Sequence, residues 1–241
     1  MKRLVLFAFL VLLALPLTAA ELERVLLPIA PSTVLCGYHS RFETKLVVFN
    51  QGGRTVGELA PMTGAEVSGP LVLVPLPAYR YLEKSDAEAL QMRLRIESSD
   101  QERIEERFFI DLPVVRESEF RAGKMQLYGV RVDPGFRQSL RIYGLDGHSA
   151  AEVMMRVYPM DSNVLIREEP YTLFPEGDWV DAEGRMAGPS FSMECDLSEH
   201  TELIGRQVRI ELEPMDATTR IWGFISITNN TTQSFYTVLP H

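Results

Sequence analysis

Apolar and polar residues alternate along most of this chain, and the alternation predicts strands. Leu90, Met92, Leu94 and Ile96 interleave with Gln91, Arg93, Arg95 and Glu97, the two-residue period of a half-buried strand. Lys45 to Phe49 is rich in β-branched and aromatic residues and ends at the turn signal Asn50-Gln51-Gly52-Gly53. Further strands are predicted at Leu71–Val74 (between Pro70 and Pro75), Phe108–Leu112, Met125–Val132, Leu140–Tyr143, Val153–Tyr158, Val208–Leu212 and Phe235–Leu239. Ile221 to Thr228 is apolar at both parities, which predicts a central strand covered on both faces. Only Leu82 to Leu90 suggests helix, a single turn that Ser85 or Asp86 could cap. Short strands punctuated by Gly and Pro predict an all-β chain of antiparallel sandwiches, Ig-like or fibronectin-III-like.

A weak internal echo suggests two such sandwiches in tandem. Phe42–Phe49 aligns with Phe136–Tyr143, and Gly53 with Gly147. Leu27-Pro28-Ile29 echoes Leu112-Pro113-Val114, and Met92–Glu97 echoes Val208–Glu213. The echoes keep their order in both halves, so the expected division is residues 21–114 and 115–241, although strand alternation is generic. The stretch from Pro159 to Ser192, with Pro170, Pro175, Gly177, Gly184, Gly188 and Pro189, is the least strand-like and reads as a long loop.

The first twenty residues change the picture. Lys2 and Arg3 precede an apolar run from Leu4 to Leu17, and Thr18-Ala19-Ala20 supplies small residues before Glu21. This is the layout of a secretory signal peptide over residues 1–20. The run falls short of the roughly 18–20 residues that span a bilayer, so an uncleaved anchor is the lesser reading. The expected localisation is secreted or periplasmic, with no integral membrane segment in the remaining 221 residues. Removing the leader takes two cations and no acid, which moves the formal charge from −9 to −11. An acidic chain without a basic run is a poor binder of phosphate backbones, so a nucleic-acid partner is excluded. In an exported chain the two cysteines, Cys36 and Cys195, invite a disulfide. Two separate buried thiols are the alternative.

Catalytic patterns are absent. The four histidines include no i, i+4 pair. His148 reads as a turn residue, and His39 near Cys36 as a loop residue beside a structural cysteine. Gly188-Pro189-Ser190-Phe191-Ser192 lacks the final Gly of a nucleophile elbow. Acidic residues gather at Glu176, Asp178, Asp181 and Glu183. Asp178, Asp181 and Glu183 are oxygen ligands that suit Ca²⁺, but their spacing matches no calcium loop, and a solvated acidic loop is the plainer reading. Trp179, Tyr171 and Phe174 form an aromatic group suited to stacking on sugar rings, with Tyr79 and Tyr81 as a second group. Both could instead plug the ends of a sandwich. Asn229-Asn230-Thr231-Thr232 carries two overlapping glycosylation acceptors, meaningful only in a eukaryotic host.

Arg220-Ile221-Trp222-Gly223-Phe224-Ile225-Ser226-Ile227-Thr228-Asn229-Asn230 resembles the closing strand of a group of uncharacterised secreted bacterial β-sandwich proteins, of the Trp-Gly-Phe-x-Ser-x-x-Asn-Asn type. Pro113–Glu117 leading into Phe120, and Phe136–Tyr143, resemble two other pieces of that group. The resemblance implies an exported all-β protein and carries no catalytic residue. The expectation is therefore a non-enzymatic binding or structural module without a cofactor, acting on a protein partner. Alternatives are a carbohydrate-binding module for an extracellular polysaccharide, and an extracellular hydrolase with an acidic or Ca²⁺-dependent site.

Overall fold

The structure, a computed structural model, describes residues 21–29, 33–35, 40–50, 55–59, 77–84, 90–100, 107–146, 150–175, 180, 183–186, 188–194, 197 and 200–241. Its described elements are overwhelmingly strands, and every pairing between them is antiparallel. The chain is all-β and sandwich-like, as its alternation predicts.

The first half supplies β1 (Leu22–Leu27), β2 (Thr33–Leu35), β3 (Ser40–Phe49), β4 (Thr55–Leu59), β5 (Ala78–Glu83), β6 (Gln91–Asp100) and β7 (Arg107–Pro113). The order β2-β3-β6-β7, with β4 also paired to β3, makes a five-stranded sheet. The second half supplies β8 (Val115–Arg116), β9 (Met125–Arg131), β10 (Phe136–Gly144), β11 (Ala151–Pro159), β12 (Arg167–Leu173), β13 (Ser190–Glu194), β14 (Gln207–Pro214), β15 (Ile221–Asn229) and β16 (Phe235–Val238). All of these but β8, which joins β5 and β1 in a three-stranded sheet of order β5-β1-β8, form two four-stranded sheets, β13-β10-β15-β16 and β12-β11-β14-β9.

Those two sheets pack face to face. A Cβ on Gly223 of β15 would lie 3.2 Å from Leu212 Cδ1 of β14 and 2.8 Å from the Arg141 carbonyl. Glycine is needed there because the space is already filled. Leu140, Ile142, Ile225 and Ile227 from one sheet, and Leu127, Val153, Met155, Val157, Ile210 and Leu212 from the other, are all buried. β15 is buried at both parities from Ile221 to Ile225, which bears out its reading as a central strand.

The opposite face of β13-β10-β15-β16 carries an aromatic layer. The Tyr143 ring stacks near Trp222 (6.0 Å), Phe191 (6.3 Å) and Phe224 (6.4 Å). This layer meets the first half of the chain. Tyr143 Oη donates to the Pro28 carbonyl at 2.8 Å, and Tyr79 Oη of β5 donates to the Leu145 carbonyl at 2.8 Å. A second junction joins the Ser98 hydroxyl to the Gln233 carbonyl at 2.9 Å, beside an edge-on contact of Phe42 with Phe235. Buried residues from Val25 to Ile227 form one hydrophobic cluster that spans both halves.

β1 ties the halves together through its backbone. It pairs with β5 on one side and β8 on the other, so Val115, the expected start of a second unit, lies in a strand laid onto the first. Val25, Leu26 and Leu27 are consecutive and fully buried, so both faces of β1 are covered. Arg116 makes a two-pronged contact to the Glu23 carboxylate, and Arg24 and Arg220 share Glu117. The third echo is not a structural equivalence. β6 is the direct neighbour of β3, whereas β14 lies in the sheet opposite β10. Leu82 and Glu83 of the expected helical turn belong to β5, and residues 85–89 lie outside the described residues.

Two predictions follow from the junction. Tyr143→Phe keeps the ring but leaves the Pro28 carbonyl without that donor, and should cost about 1–3 kcal/mol in denaturant unfolding. An unchanged unfolding midpoint would show that the bond carries no stability. The hydrogen bonds from Arg116 hold the Glu23 carboxyl below its ordinary range near 4.5. A lowered folded value means the pair stabilises the protein above that ordinary value, and this is lost as pH falls through the folded one. Glu23→Gln should therefore cost about 1 kcal/mol at neutral pH, a difference that closes at acid pH. A pH-independent difference between the two proteins would refute the linkage.

Candidate interaction surfaces

The structure separates the aromatic residues singled out from sequence. Tyr171 sits on β12 and packs half-buried against the core. Phe174, just beyond β12, is 65% exposed although its backbone is fixed by two hydrogen bonds to Phe191 (3.1 and 3.0 Å). Trp179 lies outside the described residues. Tyr79 is buried, and burial pushes its phenol far above the ordinary tyrosine range, which keeps it a neutral donor to Leu145. Tyr81 donates to the Met186 carbonyl at 3.1 Å, and the Arg185 guanidinium covers its ring at 4.5 Å. Tyr79, Tyr81 and Tyr171 thus act as packing residues, and Phe174 is the one described member of either group that is displayed.

Of the acidic group, Asp178 and Asp181 lie outside the described residues, as do Glu176, His39, His148, Cys36 and Cys195. Glu183 is exposed and faces Arg185 at 2.9 Å, a cation already in place. Among the described residues no group of three His, Cys, Asp or Glu side chains is placed to hold a metal ion. Among them also, no helix is long and apolar enough to cross a membrane. Ser190 is buried and its hydroxyl donates to the Asp146 carbonyl at 3.0 Å, a structural bond. The Asn229 side-chain oxygen accepts from the backbone of Thr231 and Thr232, and that of Asn230 accepts from Arg137. These amides shape the β15–β16 turn.

The stretch expected to be one long loop contains β12. Its Arg-Glu-Glu-Pro opening is poor in strand formers, but β12 is an edge strand, where a proline is tolerated. The connection from β11 to β12 is therefore a short hairpin tip. Val164 is 69% and Leu165 44% exposed there; Met160 at the start of the tip and Ile204 before β14 are also exposed. The tip is firmly held. Met160 N donates to the Gln207 carbonyl (3.2 Å), Ile166 N to the Val157 carbonyl (2.8 Å), and Arg209 to the Asn163 side chain (3.1 Å). Arg167 bridges from the base of the tip to Glu202 at 3.1 Å, next to Ile204. An apolar run, Val164-Leu165-Ile166, directly after Asp161-Ser162-Asn163 is the sequence signal that points to this tip.

A second surface lies on the five-stranded sheet. Among the described residues β7 is an edge strand whose ladder partner is β6. A groove of about 410 Å³ is lined by Arg95, Phe109, Ile110 and Asp111. Consecutive strand residues point to opposite faces, so a groove touching all three of 109–111 runs past the edge of the strand. Phe109 stands 58% exposed in it. Arg95 and Asp111 form an ion pair at 3.1 Å, and Arg107 pairs with Glu97 at 2.7 Å.

Set against known proteins, the chain matches no family model, no curated protein and no solved structure.

Proposed function

We propose that this chain is an exported, non-enzymatic binding module, two Ig-like or fibronectin-III-like sandwich units in tandem, that engages a protein partner through the β11–β12 hairpin tip. The observation that carries this reading is the display of Val164 and Leu165 on a tip bonded to the scaffold at Met160, Asn163 and Ile166. Exposed apolar side chains on a rigid loop lose little entropy on binding, and such loops are the usual recognition elements of β scaffolds. Ion pairs flank the tip, so its apolar residues are its unspent binding surface. Export is supported by the leader-like residues 1–20 and by the resemblance of Arg220–Asn230 to secreted bacterial β-sandwich proteins.

Phe174 supports a second reading, a carbohydrate-binding surface, because its ring is exposed on a fixed backbone. The two readings separate experimentally. Proteins of the exported fraction retained by the immobilised protein should be lost when Val164→Ser/Leu165→Ser is the bait, with the melting temperature kept. Equal retention by both baits would overturn the tip reading. In gels cast with soluble polysaccharides, retardation abolished by Phe174→Ala would establish the second. The exported protein should begin at Glu21 by N-terminal sequencing.

A further inference from the structure

We propose that the β7 edge is a self-association surface, on which a second copy of this chain adds its own β7 antiparallel about a two-fold axis at Phe109. The argument rests on the order of side chains along that edge. β7 opens Arg107-Phe108-Phe109-Ile110-Asp111, with a cation and an anion at equal distances on either side of Phe109. In an antiparallel pairing centred on Phe109, Arg107 stands opposite the second copy's Asp111, and Asp111 opposite the second copy's Arg107. Phe109 meets its own counterpart, and Phe108 meets Ile110. Residues directly opposite in such a ladder have Cβ atoms about 4.5–5.5 Å apart, close enough for each of these pairs to form.

The charges already fixed on β6 extend the pattern. Glu97 holds Arg107, and Arg95 holds Asp111. Glu97 reaches Arg107 diagonally and Arg95 stands directly opposite Asp111, so across the joined edges the chain of ion pairs runs Glu97, Arg107, the second copy's Asp111 and its Arg95, alternating in sign from one copy into the next. A parallel arrangement would place Arg107 against Arg107 and Asp111 against Asp111, which repel. A slip of two residues would put Phe109 opposite Arg107 and break both ion pairs. The edge therefore encodes one direction and one register. It also explains an exposed phenylalanine on an edge strand, which natural sheets otherwise protect with charge or cover. The interface is isologous and closes on itself, so it gives a dimer and no filament. The hairpin tip is not used in this pairing, and either proposal stands if the other fails.

Sedimentation velocity and disulfide mapping test it. The purified protein should shift from monomer to dimer as its concentration rises. Phe109→Asp should weaken the dimer about tenfold or more at an unchanged melting temperature. On mild oxidation, Phe109→Cys should give a covalent dimer whose linked peptides join position 109 to position 109. A mixture of Arg107→Cys and Asp111→Cys should link 107 to 111, and Arg107→Cys alone should not link 107 to 107, because those positions lie roughly 13 Å apart along the strands. A monomer at every concentration, a dimer indifferent to Phe109→Asp, or links in another register would each overturn the proposal.

Discussion

The hydroxyl of Tyr143 reaches the Pro28 carbonyl while that of Tyr79 reaches the Leu145 carbonyl, and the two bonds cross the same apolar layer in opposite directions. Through these two bonds each half of the chain contributes one buried donor and one buried acceptor to the other. A buried carbonyl deprived of its donor is costly, so the two halves are matched in position as well as in hydrophobicity. The rings of Tyr143, Trp222, Phe224 and Phe191 fill the layer between them. β1 then continues the backbone ladder through β8, and Arg116 and Glu23 clamp its end. The result is one hydrophobic cluster running from Val25 to Ile227.

This layer gives the Trp222-Gly223-Phe224 motif a physical meaning. Trp222 and Phe224 point at the first half, and Gly223 between them lets β15 lie against the Arg141 carbonyl and Leu212. The motif is a packing element of the fold.

Strands with clean alternation, such as β6, β9, β11 and β14, were legible in the sequence because burial on one face writes itself at period two. β15 was legible for the opposite reason, being apolar at both parities. β5 was not, because its residues Tyr79-Arg80-Tyr81-Leu82 alternate aromatic with charged and aliphatic positions that serve a junction as well as a core. β12 was hidden by Glu168, Glu169 and Pro170, residues an edge strand accepts and a central one rejects. Of the proposed aromatic site, sequence could name Tyr171 and Phe174 but could not say that one is packed and the other displayed. That difference is tertiary. The third echo failed as an equivalence for the same reason, since alternation records a buried face and not which sheet the strand belongs to. The apolar run Val164-Leu165-Ile166 marks the hairpin tip in the sequence, but the exposure of Val164 and Leu165, like that of Phe109 on the β7 edge, is visible only once the sheets are in place.

The central claim is that the two halves share one core and unfold together. Differential scanning calorimetry of the purified protein tests it most directly. A single transition whose calorimetric and van't Hoff enthalpies agree is the predicted result. Two resolved transitions, each with the enthalpy of half the chain, would contradict it and leave the aromatic layer as a contact between independent domains.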